Sequence, residues 1–67
     1  MELTADELYL AIHAVNIQTD YEAARVQMCD TPERIKYHED RAEAYDALGH
    51  KLYPLWVEAK KKEMNQA

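Results

Sequence analysis

Apolar residues recur through the first half of the chain at steps of three and four, the spacing that aligns side chains on one face of an α-helix. One series is Leu3, Leu10, Ala14, Ile17, Tyr21, Ala24 and Met28. A second series on the opposite side is shorter and is interrupted by Thr19 and Glu22: Leu8, Ile12, Val15 and Val26. The pattern predicts a first helix with two apolar stripes.

The beginning of this helix is specified locally. Thr4-Ala5-Asp6-Glu7 matches a capping box, in which the threonine hydroxyl accepts from the backbone N–H of Glu7 and the glutamate accepts from the backbone of Thr4. Since neither Gly nor Pro follows before Pro32, we predict one helix over about residues 5–29.

A second helix is predicted to follow a turn at residues 30–31 and to cover about residues 32–62, because Thr31 can cap it and Pro32 suits its first position. A connection this short makes two long helices antiparallel neighbours. The expected fold is therefore all-α, an antiparallel αα-hairpin forming a single domain over residues 1–67. Pro54 cannot donate to the carbonyl of His50, so we expect a kink near Gly49–Pro54 rather than a break.

The predicted second helix has one broad apolar face: Ile35, His38, Ala42, Tyr45, Gly49, Leu52, Trp56 and Ala59. One face can cover only one stripe of the first helix. We expect the complete series to be covered within the chain, which leaves an interface between subunits formed by Leu8, Ile12, Val15 and Val26. The expected assembly is a homodimeric four-helix bundle, with a larger helical oligomer as the alternative.

Assembly is also the common route to stability that remains for a chain of 67 residues. Cys29 is the single cysteine, so no disulfide forms within the chain, and no Cys/His cluster has zinc-finger spacing. Residues 1–4 show neither a basic segment nor a long apolar stretch, so we expect a cytoplasmic protein without a membrane span.

The net charge of −5 is unevenly distributed, because residues 1–33 hold seven acidic residues against Arg25 alone. Such a surface repels phosphate backbones. The leading hypothesis is a non-catalytic protein-interaction module, an inhibitor or adaptor that engages a basic site on another protein. The acidic contacts expected for this partner are Asp6, Glu7, Asp20, Glu22 and Asp30.

Two other functions remain open. An oligomer could sequester a nucleotide or another anion in a pocket between subunits, with Arg25, Arg34 and Arg41 as the candidate anion-binding residues. The third hypothesis is nucleic-acid binding through Lys51, Lys60, Lys61 and Lys62.

Catalysis is not expected, because the sequence has no Gly-rich phosphate loop, nucleophile elbow or Cys/His constellation. Asp46 and His50 lie one turn apart but supply only two metal ligands. We therefore expect neither a metal nor another cofactor.

The capped first helix, the tight Thr31-Pro32 turn and the amphipathic return helix resemble small helical-hairpin proteins encoded by bacteriophages. Some of those proteins inhibit host defence or host enzymes, which the resemblance implies as an activity here. The length and hairpin plan are also similar to the plasmid RNA-binding four-helix bundle, although the first helix of this chain has a single basic residue. These are resemblances of architecture and carry no residue roles.

Overall fold

The computed structural model describes residues 2–65 and shows two α-helices that pack against each other as a hairpin, α1 (Ala5–Met28) and α2 (Pro32–Asn65). The all-helical hairpin expected from the sequence is confirmed. The domain predicted over residues 1–67 includes Met1, Gln66 and Ala67, which lie outside the described residues. Within residues 2–65, neither helix is long and apolar enough to cross a membrane.

Local hydrogen bonds define where both helices begin. The backbone N–H of Glu7 donates to the Thr4 hydroxyl at 3.1 Å, and the backbone N–H of Thr4 donates to the Glu7 carboxylate at 2.8 Å, which completes the capping box. At α2, the backbone N–H of Arg34 donates to the Thr31 hydroxyl at 3.3 Å. α1 ends one residue before the predicted position, and α2 continues to Asn65 rather than to about residue 62.

α2 runs through Gly49 and Pro54 without a break. The kink expected there remains a prediction, whereas a break is excluded. Gly49 lies where the two helices approach each other, since a β-carbon placed on it would be 3.6 Å from a methyl group of Val15. Beyond Pro54, Trp56, Val57 and Ala59 are still half-buried, so α2 keeps a covered side after the proline.

The inward stripe of α1 has buried or half-buried members at every step of three or four: Ala5, Leu8, Ile12, Val15, Thr19, Glu22, Val26 and Cys29. Ala5 is 1% exposed and Leu8 is 4% exposed, and among residues 2–65 these are the buried apolar side chains. The core of the hairpin is therefore a thin line of contacts.

The two stripes of α1 have the opposite roles from those predicted from the sequence: the stripe expected to be covered by α2 is exposed, and the other is covered. Leu8, Ile12, Val15 and Val26, assigned above to an interface between subunits, are covered inside the hairpin instead. The physical reason is Glu22, whose carboxylate meets His38 and Arg41 of α2 when this stripe faces inward. Opposite Val15, Gly49 adds the space for close approach.

The outward stripe of α1 is the complete apolar series, and its members are exposed: Leu3, Leu10, Ala14, Ile17, Tyr21, Ala24 and Met28. Leu10, in its N-terminal half, is 65% exposed. The molecule measures 53 × 17 × 13 Å, a rod only two helices thick. A rod of this shape has no third layer with which to cover α1.

Candidate interaction surface

The outward stripe of α1 lies almost directly opposite the inward stripe. At 100° per residue, the centres of the two stripes are roughly 180° to 200° apart around the helix axis. The outward stripe continues from Leu3, ahead of the helix, to Met28 at its last residue. Within α1 the stripe is apolar from Leu10 to Met28, whereas the first turn places Asp6 and Glu7 between Leu3 and Leu10.

Charged and polar residues flank the outward stripe on both sides. Glu7 and Arg25 lie on one flank, near opposite ends of α1, and the guanidinium of Arg25 is 5.9 Å from the centre of the Tyr21 ring. His13 and Asp20 lie on the other flank, where His13 stacks on Tyr9 with ring centres 6.4 Å apart. The first flank of the outward stripe therefore carries a negative charge near its N-terminal end and a positive charge near its C-terminal end.

A polar cluster joins the two helices on the inward side. Glu22 is 4% exposed, and its two carboxylate oxygens have different partners. The imidazole Nδ1 of His38 donates to one oxygen at 2.5 Å, and Nε of Arg41 donates to the other at 3.4 Å. Arg41 also donates to the Tyr45 hydroxyl at 2.8 Å. The cluster satisfies a carboxylate that would otherwise be buried without partners.

These contacts shift ionisation in the direction that favours the ion pair. The hydrogen bond from His38 lowers the pKa of the Glu22 carboxyl, burial opposes this change, and the hydrogen bond from Arg41 lowers the pKa further. The hydrogen bond to Glu22 raises the pKa of Arg41. Glu22 is thus held as a carboxylate when the hairpin is folded.

The five acidic residues assigned to a partner divide into different environments. Glu22 lies inside the hairpin, so its carboxylate is committed to α2 rather than presented to another protein. Glu7 uses one carboxylate oxygen in the capping box. Asp6, Asp20 and Asp30 are exposed and remain available for an external contact.

The three arginines assigned to an anion site make separate contacts. Arg41 belongs to the Glu22 cluster, and its guanidinium also lies 5.5 Å and 5.4 Å from the rings of Tyr37 and Tyr45. Arg25 lies against Tyr21, and the backbone of Arg34 takes part in the cap of α2. Of the three arginines, Arg41 therefore belongs to the Glu22 cluster, and Arg25 and Arg34 do not.

The remaining sequence-derived candidates lie on α2. His50 and Asp46 form a pair at 3.3 Å, and no group of three potential metal ligands occurs within residues 2–65. Lys61 pairs with Glu58 at 3.8 Å, and Lys62 pairs with Glu2 at 4.0 Å. An open groove of about 530 Å³ lies beside this last pair, between residues 2–8 and residues 55–63.

Periodicity treated Glu22 as an interruption of a stripe and so missed the cross-helix cluster. Its position nevertheless carried a signal. Glu22 and His38 are each eight residues from Asp30 along the chain, on either side of the turn. In an antiparallel hairpin, residues equally far from the turn face each other.

Comparison with protein-family models, with curated proteins and with solved structures finds no match to this chain. A functional argument therefore starts from the two surfaces of α1.

Proposed function

We propose that this protein is a non-catalytic protein-interaction module that functions as a homodimer and uses the outward stripe of α1 as its binding surface. The observation that supports the proposal is the outward stripe itself, which is exposed and is apolar from Leu10 to Met28. Contiguous apolar surface of this kind marks interaction sites in proteins.

The size of the effect can be estimated from the large side chains of the stripe. Leu10, Ile17, Tyr21 and Met28 are each more than half exposed. Covering the exposed part of each contributes about 1 kcal/mol, so a symmetric dimer gains roughly 8 kcal/mol from them before association costs. Those costs are of similar size, roughly 4–15 kcal/mol, so the polar residues at the edges decide how tightly the copies pair.

The positions of the stripes also specify the kind of four-helix assembly. A square bundle requires each helix to contact two neighbours in directions about 90° apart. The stripes of α1 are on opposite sides, which favours a layered order in which two α1 helices lie in the middle and each α2 lies outside. This proposal keeps the homodimer expected from the sequence but reverses the stripe that forms its interface.

A second protein would be engaged by the acidic residues that stay exposed. Asp6 and Asp30 are exposed, and the chain carries a net charge of −5. A basic site on a target protein would complement them and would be reached faster at low ionic strength. An inhibitor or adaptor is the function that these features favour.

The proposal is tested by light scattering coupled to size-exclusion chromatography on the purified chain. Ile17→Lys places a charge in the outward stripe, and Leu48→Lys is its matched control on α2, since the two residues are 53% and 44% exposed. We expect the mass of a dimer for the wild type and for Leu48→Lys, and the mass of a monomer for Ile17→Lys, with equal helix content by circular dichroism.

Binding to a target is the second measurement. A target recovered with the wild-type chain should be lost with Ile17→Lys or with lysine substitutions at Asp6 and Asp30, and retained with Leu48→Lys. A monomeric wild-type chain at about 1 mM, where even a millimolar dimer is half formed, would remove the homodimer, and target binding that none of these variants changes would remove the binding surface.

A further inference from the structure

We infer that the second copy packs antiparallel on the outward stripe of α1, with the two-fold axis passing between Ala14 and Ile17. The inference rests on the proposed function and specifies the orientation and register of that interface. It is carried by the order of residues along α1: read against its own reverse, each large apolar residue meets an apolar residue and Glu7 comes beside Arg25, while Ala24 faces Glu7.

The register places the midpoint between residues 15 and 16 of one copy opposite the same midpoint of the other. A residue before the midpoint in one copy then faces the residue equally far after it in the other. Leu3 then meets Met28 of the second copy, Leu10 meets Tyr21, and Ala14 meets Ile17. Every large member of the outward stripe has an apolar partner. A shift of one heptad in either direction leaves Leu3 or Met28 without such a partner, so this register covers the most apolar surface.

Charge complementarity on the first flank supports the same register. Glu7 of one copy faces position 24 of the other, so Arg25 is displaced from Glu7 by one residue, about 1.5 Å along the helix axis. An antiparallel two-fold axis places equal flanks side by side, so this pair forms twice. In the capping box Glu7 uses Oε1, which leaves its second carboxylate oxygen for Arg25. Arg25 is already held beside Tyr21, at the edge of the stripe.

The second flank adds another complementary pair. His13 of one copy stands within two residues, about 3 Å along the axis, of Asp20 of the other. Both side chains are exposed in the hairpin. The imidazole can donate a hydrogen bond to the carboxylate, and the symmetry again produces the contact twice.

A parallel arrangement loses these contacts and gains repulsion. It places the first turns of both α1 helices side by side, which gathers Asp6 and Glu7 of one copy against the same residues of the other. Four carboxylates at one end destabilise the pair, and the positive ends of the two helix dipoles are adjacent as well. The antiparallel second copy is therefore the occupant that this surface fits.

Disulfide cross-linking distinguishes the two orientations. Leu10→Cys and Tyr21→Cys are prepared separately in chains that also carry Cys29→Ser, then mixed, oxidised gently and weighed intact by mass spectrometry. Facing positions bring the Cα atoms to roughly the 4.4–6.8 Å that a disulfide requires. We expect the mixed disulfide between the two variants to exceed both homodisulfides at least several-fold. Leu48→Cys mixed with Tyr21→Cys is the control for random collision.

The ion pair is tested by a coupling measurement of the dimer dissociation constant. Arg25→Glu should raise the Kd about tenfold, since it turns two attractive contacts into repulsive ones. Glu7→Gln keeps a capping side chain at that position while removing the charge. Combining Glu7→Gln with Arg25→Glu should recover most of the dimer affinity that Arg25→Glu alone loses.

The failures of the two proposals are distinguishable. Dominant homodisulfides, cross-linking no greater than the Leu48→Cys control, or additive effects of Arg25→Glu and Glu7→Gln would overturn the antiparallel register. If Ile17→Lys still abolished binding to a target in that case, the interaction module would stand with a different occupant on the stripe.

Discussion

Leu8→Ala and Leu10→Ala form a matched pair that separates the two stripes of α1. The same atoms are removed from the same helix at positions only two residues apart, but Leu8 is 4% exposed and Leu10 is 65% exposed. Loss of a buried leucine costs about 2–5 kcal/mol, and the site of Leu8 borders the open groove, where neighbours can relax. We therefore expect about 2–3 kcal/mol for Leu8→Ala. A 67-residue chain has a total stability of only about 3–10 kcal/mol.

The assay is urea unfolding followed by circular dichroism at two protein concentrations at least tenfold apart. Leu8→Ala should lower the free energy of unfolding by a similar amount at both concentrations, because its contacts lie within one chain. Leu10→Ala should change the free energy of unfolding of the monomeric hairpin only slightly. It should reduce the dependence of that free energy on protein concentration, because the contacts of Leu10 lie between chains. Equal losses for the two variants, or a larger loss for Leu10→Ala in a monomeric sample, would refute the assignment of the inward stripe.

Two further predictions concern the interface between α1 and α2. Because His38 and Arg41 lower the pKa of Glu22 in the folded chain, the stability that its carboxylate contributes is present above its ordinary pKa of 4.5 and is lost as the pH falls through the lower folded value. Unfolding measured from pH 7 to pH 3 should thus show Glu22→Gln less stable than the wild type at neutral pH, with the gap closing below about pH 4.5; a gap independent of pH would contradict this. Gly49→Ala should stabilise the hairpin by about 0.5–1 kcal/mol, since a methyl group there meets its nearest neighbour at an ordinary 3.6 Å; a lowered thermal midpoint would show that the helices need closer contact.

Local chemistry made the helix starts predictable from the sequence. The Thr4 capping box and the Thr31-Pro32 start depend on residues within one turn of each other, and both form the expected hydrogen bonds or positions. The hairpin followed in turn from the short connection between two long helices. The helix starts and the hairpin could therefore be predicted without knowing which residues of α1 contact α2.

The roles of the two stripes could not be decided by periodicity, because both have helical spacing. Their assignment depends on what each stripe meets on α2. The outward stripe contains more apolar residues and was therefore the expected core, but it has no carboxylate that could pair with His38 and Arg41 of α2. Glu22 supplies that partner, so an apparent flaw in the shorter stripe is the feature that selects it. The sequence therefore identified α1 as the helix with two stripes, but it assigned to the interior the stripe that the structure leaves exposed.

The carboxylate of Glu22 gives α1 a single rotational setting. Turning the helix by half a revolution would present Tyr21 and Ala24 to α2, release Glu22 into water and leave an imidazole and a guanidinium facing hydrocarbon. Sliding it along α2 by one heptad would separate the same three groups. Among residues 2–65, the contacts of Glu22 with His38 and Arg41 are thus directional contacts that fix which side of α1 faces solvent, although Glu22 itself is buried.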